Sequence, residues 1–169
     1  MQFIETSIVD LYKSTVKAFP KTTRRQYSIG TVRVERLDWI PFLGVRTLFI
    51  KGLIKNEGKK YDSIILFKNV VFKESEGRKL IKVRMSTGKE YFVEQIDSER
   101  NDALVHCQCQ DFYWRLKHFN KLDKSLYGRD RAKYEASERP GTANPLEMPG
   151  MCKHLIKMAK IIKETNLLI

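Results

Sequence analysis

The sequence predicts an α+β protein, and three patterns predict it. A capped amphipathic stretch opens the chain, β-branched and aromatic segments punctuated by turn signals fill the middle, and helical spacing returns after residue 111. The expected architecture is an N-terminal helix, an antiparallel β meander or small barrel, and a C-terminal strand–loop–helix lobe whose ends are tied together. Residues 1–100 would form the helix and β-rich body, and residues 101–169 the lobe, with a long insert at 110–151.

The first element is justified by its cap. Ser7 stands three residues ahead of Asp10, the spacing of a capping box with Asp in place of the usual Glu or Gln. Ile8, Leu11, Tyr12, Val16 and Phe19 recur at helical intervals until Pro20 closes the pattern, so a helix is expected over about 7–18. A basic loop, 21–25, follows. The period then changes. The segments TVRVERL, TLFIKGLIK, SIILFKNVVF, LIKVRMS and EYFVEQI lie between turn signals at Pro41 and Gly44, Asn56 to Gly58, Glu76-Gly77 and Thr87-Gly88. Five or six short strands joined by tight turns are expected. From Asp111 the apolar positions Phe112, Leu116 and Phe119 read as a helix, followed by a polar stretch rich in Gly, Pro and Ser. A loop of that length inside a compact domain needs something to hold its ends.

Composition narrows the class. A hydrophobic fraction of 42% with 2 Trp, 7 Tyr and 9 Phe is ample for a packed core. No apolar run approaches the roughly 18 residues of a membrane span. The opening residues, Met1 to Glu5, lack a basic start and an apolar centre, so the expectation is a protein that stays or is assembled inside a cell. Net charge is +12 with a pI near 9.7, which favours polyanionic partners. The excess is dispersed: 20 Lys and Arg face 13 Asp and Glu over residues 1–106, and 12 face 7 over 107–169. That spread fits general electrostatic attraction better than a dedicated sequence reader.

The chemistry lies in the cysteines. There are three, an odd number that argues against a disulfide framework. All fall into one constellation, Cys107-x-Cys109 and Cys152-x-His154. Three thiolates and an imidazole complete a tetrahedral structural zinc site, with no position left for water. On an extended strand, residues i and i+2 share a face, so Cys107 and Cys109 can bind one ion. Two residues apart in a helix, side chains diverge by roughly 200°. Cys152 is therefore expected in the loop ahead of a helix and His154 in its first turn. Pro149-Gly150 supplies the break, and Leu155, Met158, Ala159 and Ile162 supply the apolar stripe. Such a metal would close the long loop at both ends. His106 is expected on the opposite side of the strand from Cys107, and His118 to pack on the helix after Asp111. Buried, unliganded cysteines are the plainer alternative.

The order C-x-C, D-F-x-x-R and C-K-H-L before an apolar helix resembles the SWIM zinc finger, with signature CxCx(n)CxH. Here it reads CQCQDFYWR and CKHLIKMAKII over about residues 105–165, with a 42-residue insert at 110–151, longer than is usual for that family. The resemblance implies a strand pair carrying the first two ligands and a helix carrying the last. The run from CQCQDFYWRL to ANPLEMPGMCKHL after a β-rich basic half, with Asn144-Pro145, Pro149-Gly150 and the Cys-Lys-His triplet, looks like a group of tailed-bacteriophage virion structural proteins. That likeness implies a particle component whose partners are other virion proteins of head, neck or tail, assembled in the host cytoplasm.

Three functional classes are weighed. Nucleophile elbow, P-loop, dinucleotide turn and HExxH are all missing, and Asp10, Asp97, Glu99 and Asp111 show no obvious pairing, so an enzyme with a small-molecule substrate is not expected. SWIM fingers as a family are linked to DNA or protein binding. Lys153, Lys157, Lys160 and Lys163 form a basic stripe on the last predicted helix, as candidates for an acidic partner or nucleic acid, and Phe112, Tyr113 and Trp114 could stack bases. The same stripe reads equally as a solvated helix face. The expectation is a non-enzymatic, zinc-stabilised structural or connector component of a tailed-phage virion. The alternative is a SWIM-type nucleic-acid-binding protein or a cytoplasmic protein with the same finger. Contact with DNA would be by non-specific electrostatics, and no membrane partner is expected.

Overall fold

The computed structural model describes residues 6–21, 30–85, 87–128 and 143–169. Most of the expected basic loop (22–25) and the middle of the long insert (129–142) lie outside the described residues. Helix α1 spans Ile8–Ala18 and begins with the predicted capping box: Ser7 Oγ accepts the Asp10 N–H at 3.1 Å, and the Asp10 carboxylate accepts the Ser7 N–H at 3.2 Å. Ile8, Leu11, Thr15 and Ala18 form its buried face.

Seven strands follow: β1 (Arg33–Phe42), β2 (Thr47–Asn56), β3 (Lys59–Phe67), β4 (Phe72–Lys73), β5 (Leu80–Arg84), β6 (Glu90–Glu94) and β7 (Ala103–Cys107). They form two antiparallel sheets, ordered β1-β2-β3-β7 and β4-β6-β5. The first three strands make the expected meander, and the described residues form two open sheets instead of a barrel. SIILFKNVVF does not run as one strand: β3 stops at Phe67, Asn69 takes a left-handed conformation (φ 58°), and the chain re-enters as β4 in the other sheet. A short polar side chain tolerates that conformation, which makes Asn a turn residue.

Alternation along the strands decides the faces. Ile50, Ile54, Ile65, Phe67, Val105 and Cys107 are buried, while their neighbours Phe49, Ile64, Leu66, Leu104 and His106 are half-exposed. Helix α3 (Lys153–Glu164) brings Leu155, Met158 and Ile162 to the core and contacts β1, β2, β3 and β7. Its approach to β2 is close: a Cβ at Gly52 would lie 2.9 Å from Met158 Sδ. No helix among the described residues is long and apolar enough to cross a membrane.

After β7 the chain turns through a π-helical segment, Phe112–Leu116, into α2 (Lys117–Leu122). Ser125 to Tyr127 then return along the edge of β7, where Val105 N–H donates to Ser125 O at 2.8 Å and Tyr127 N–H to Val105 O at 3.0 Å. The residues following α3 clasp the segment after β6, with Ile96 N–H donating to Leu167 O at 2.7 Å and Ile169 N–H to Ile96 O at 3.0 Å.

Candidate metal centre

Cys107 ends β7, where the register pairs it with Ser63 of β3. Cys109 follows two residues on, at the entry to the π-helical segment; its carbonyl accepts the Tyr113 N–H at 3.1 Å and its sulfur accepts the Phe112 N–H at 3.3 Å. The helical turn therefore points a backbone donor at this sulfur. Cys152 is the N-cap of α3, in an extended conformation (φ −74°, ψ 168°), and its carbonyl accepts the Ile156 N–H at 3.0 Å. His154 sits in the first turn. The loop-then-helix placement required by the Cys-x-His spacing is the one observed.

One ligand atom from each of Cys107, Cys109, Cys152 and His154 lies within 4.8 Å of the others, and all four residues are buried. His154 Nδ1 is 3.8 Å from Cys107 Sγ and 3.9 Å from Cys152 Sγ. A tetrahedral zinc with Zn–S near 2.3 Å and Zn–N near 2.0–2.1 Å has S–N edges of about 3.6 Å and S–S edges of about 3.8 Å. The cluster matches that polyhedron to within about an ångström and could hold a metal ion. The facing nitrogen is Nδ1. Nε2 is buried with no hydrogen-bond partner among the described residues, and Tyr61 stacks on the ring at 4.5 Å with planes 30° apart.

The protons tell the same story. Hydrogen bonds from Cys109 and Cys152, with a further one from Ser63 Oγ at 3.3 Å, hold the Cys107 thiol well below its ordinary range. Burial, then the neighbouring sulfurs, push Cys152 well above it. Three sulfurs in one dry pocket cannot all ionise without a cation among them, and a bound metal removes that conflict. The Tyr61 hydroxyl is pushed up by its own burial and then by the charge of Cys109 and Cys107.

The loop ahead of Cys152 is pinned by amides and a hydroxyl. Asn120 Nδ2 donates to Gly150 O at 3.0 Å, and its Oδ1 accepts the Gly150 N–H at 2.9 Å. Asn144 Nδ2 donates to Arg115 O at 3.0 Å and Met148 O at 2.7 Å. Thr15 Oγ1 of α1 accepts the Met151 N–H at 2.8 Å. Gly150 is required here: a Cβ would lie 2.5 Å from Thr15 Oγ1.

Other predicted residues separate from the cluster. His106 faces Ile64, Lys117 and Phe112 on the opposite side of β7, and burial, then Lys117, lowers its pKa. His118 packs edge-on against Phe119. Phe112 is fully buried, which corrects its reading as a base-stacking group: it is part of the core beside the cysteines. Tyr113 and Trp114 pack edge to face, and Trp114 is 46% exposed. Lys153 and Lys157 are half-buried, Lys160 and Lys163 exposed. The carboxylates serve locally: Asp10 caps α1, Asp97 accepts the Glu99 N–H, and Asp111 pairs with Arg115 at 2.6 Å. Tyr61, Ser63, Thr15 and Asn120 escaped the sequence reading, because their roles depend on strand register and long-range packing.

No family model, curated protein or solved structure matches the chain. The cluster geometry is therefore the strongest functional statement available from the molecule itself.

Proposed function

We propose that the chain is a SWIM-type zinc protein without catalytic activity, serving as a structural or connector component of a tailed-phage virion. The observation that carries the structural-zinc part is the closed, buried tetrad of Cys107, Cys109, Cys152 and His154. Three thiolates and an imidazole favour zinc over magnesium or calcium, which take oxygen ligands. Four protein donors leave no coordination position for substrate or water, which supports a structural role. The virion reading rests on the residue pattern around the insert. Two of its residues, Asn144 and Gly150, hold the ligand-bearing loop, which supports treating the insert and the site as one unit.

Two measurements test this. Elemental analysis of protein purified without added metal should give about one zinc per chain, lost in Cys152→Ser; a metal-free, fully folded protein would overturn the zinc reading. Mass spectrometry of gradient-purified particles should find the chain at fixed stoichiometry. Its absence from particles would remove the virion reading. A second reading, nucleic-acid binding, is favoured by the exposed Trp114 beside Tyr113, over whose ring Lys117 Nζ lies at 5.2 Å from the centroid. Binding of single-stranded DNA that weakens with salt and is lost in Trp114→Ala would support it.

A further inference from the structure

We infer that Ser63 is a positioning residue of the metal centre: its hydroxyl anchors the Cys107 sulfur and tightens the hold on the ion. Ser63, Ile65 and Phe67 are the fully buried side chains of β3, and Ser63 is the polar one among them. A buried hydroxyl costs free energy unless it is hydrogen-bonded, and an apolar side chain in that place carries no such cost. The hydroxyl has one hydrogen bond among the described residues: Ser63 Oγ–H donates to Cys107 Sγ at 3.3 Å.

Strand register sets up the contact. Ser63 stands opposite Cys107 in the ladder between β3 and β7, so both side chains leave the sheet on its buried face. Just beyond the end of β7 the two segments are fastened again. The Asp62 N–H donates to Gln108 Oε1 at 3.0 Å, and the Gln108 N–H donates to Asp62 O at 3.1 Å. This pair ties the Cys-x-Cys segment to β3 and keeps Ser63 and Cys107 abreast.

The chemistry of the site gives the contact a task. Three thiolates and a neutral imidazole around a divalent ion leave one net negative charge among four buried residues. Dipoles aimed at the sulfurs offset it. The Phe112 N–H donates to Cys109 Sγ at 3.3 Å, and Cys152 stands at the N-cap of α3, at the positive end of its dipole. Both of those are backbone groups, present whatever side chain the sequence carries. Cys107 receives its donor from a side chain, so this is the sulfur whose surroundings a single substitution can change. A donor bonds more strongly to a thiolate than to a neutral thiol, so the hydroxyl favours the metal-bound state over the free one.

The inference rests on the zinc reading and is tested so that the two can fail separately. Full-length protein is loaded with Co(II) in place of zinc, and wild type is compared with Ser63→Ala. The control is Ser125→Ala, which removes another fully buried hydroxyl, one that donates to Asn120 O at 3.5 Å. In Ser63→Ala the sulfur-to-cobalt charge-transfer band should move to longer wavelength, because sulfur lone pairs rise in energy when a donor is removed. The d–d bands of the four-coordinate ion should stay in place. Zinc affinity, from competition with a chelator, should fall about tenfold or more. The control should match wild type in all three. An unmoved charge-transfer band or an unchanged zinc affinity in Ser63→Ala would overturn the inference and leave the zinc reading standing. So would collapsed d–d bands, which would mark a packing role, or an equal response in the control. A wild type that binds neither cobalt nor zinc would remove the zinc reading and the inference with it.

Discussion

The two sheets are built on the same antiparallel rule and anchored differently. The four-stranded sheet lies under α3 and buries Ile50, Ile54, Ile65, Val105 and Cys107 completely or nearly so. The three-stranded sheet has strands of two to five residues, and Val83, Tyr91 and Val93 are its buried side chains. Hydrogen bonds tie its flanks to the rest of the described residues: Val70 N–H, two residues ahead of β4, donates to Arg46 O at 2.8 Å, and the residues after α3 clasp Ile96. The metal cluster thus sits on the better-packed sheet, not on the weaker one. A metal ion bound there would fix α3 across the strands, and the smaller sheet meets the residues after α3 through the clasp. A small domain can need a staple to join elements that are individually sound.

That contrast can be broken most severely at the ligands. Cys109→Ala should lose the metal and release the segment from 143 onward together with α3. Structural zinc in isolated fingers contributes on the order of 10–16 kcal/mol of apparent binding free energy, comparable to a domain's whole net stability. Hydrogen exchange across Leu155–Ile162 should rise first, followed by exchange at Ile96. Retained metal and unchanged melting would contradict the assignment. Acid should act in the same direction, because protons compete for thiolates and imidazole: metal is held at neutral pH and released as pH falls.

Next in size is the joint between α1 and the ligand loop. Gly150→Ala drives a methyl into Thr15 Oγ1 and Leu116 Cδ2, so a loss of about 2–3 kcal/mol is expected in urea denaturation. An unchanged midpoint would mean that the loop moves away freely. Tyr61→Ala should speed zinc loss to a chelator about tenfold, because Tyr61 stacks on the His154 ring, whose buried Nε2 has no hydrogen-bond partner among the described residues. Equal release rates would show that the stack is incidental. The smallest effect sharpens the comparison. Val93→Ala in the minor sheet should cost about 2 kcal/mol of stability and leave zinc affinity where it was. A matching fall in affinity would show the two sheets to be coupled more tightly than the clasp implies.

Local signals were the readable ones. The capping box at Ser7 and Asp10, and the impossibility of two ligands at i and i+2 inside a helix, are decided within a few residues, and both placements hold. The division into two sheets was not readable, since only Lys68-Asn69 breaks the apolar run from Ile64 to Phe72 and pairing partners lie far away in sequence. The π-helical turn after Cys109 is likewise hidden: the carbonyl of Phe112 accepts from Lys117, five residues on, and apolar periodicity does not separate that from an α-helix. Ser63 becomes a partner of the cluster through the register of β3 against β7, and Tyr61 through the packing of α3 on β3.

The split of the ligands between two distant segments also sets a clock. The second cysteine of the strand pair precedes Cys152 by 43 residues. At typical synthesis rates, roughly 2–9 s separate the appearance of the two halves. During that interval the nascent chain displays a bidentate thiol pair that any thiophilic ion or oxidant can reach. All four ligands of the cluster would come together only once the segment through His154 has left the ribosome, so capture of an ion by the whole set would follow the folding of β7.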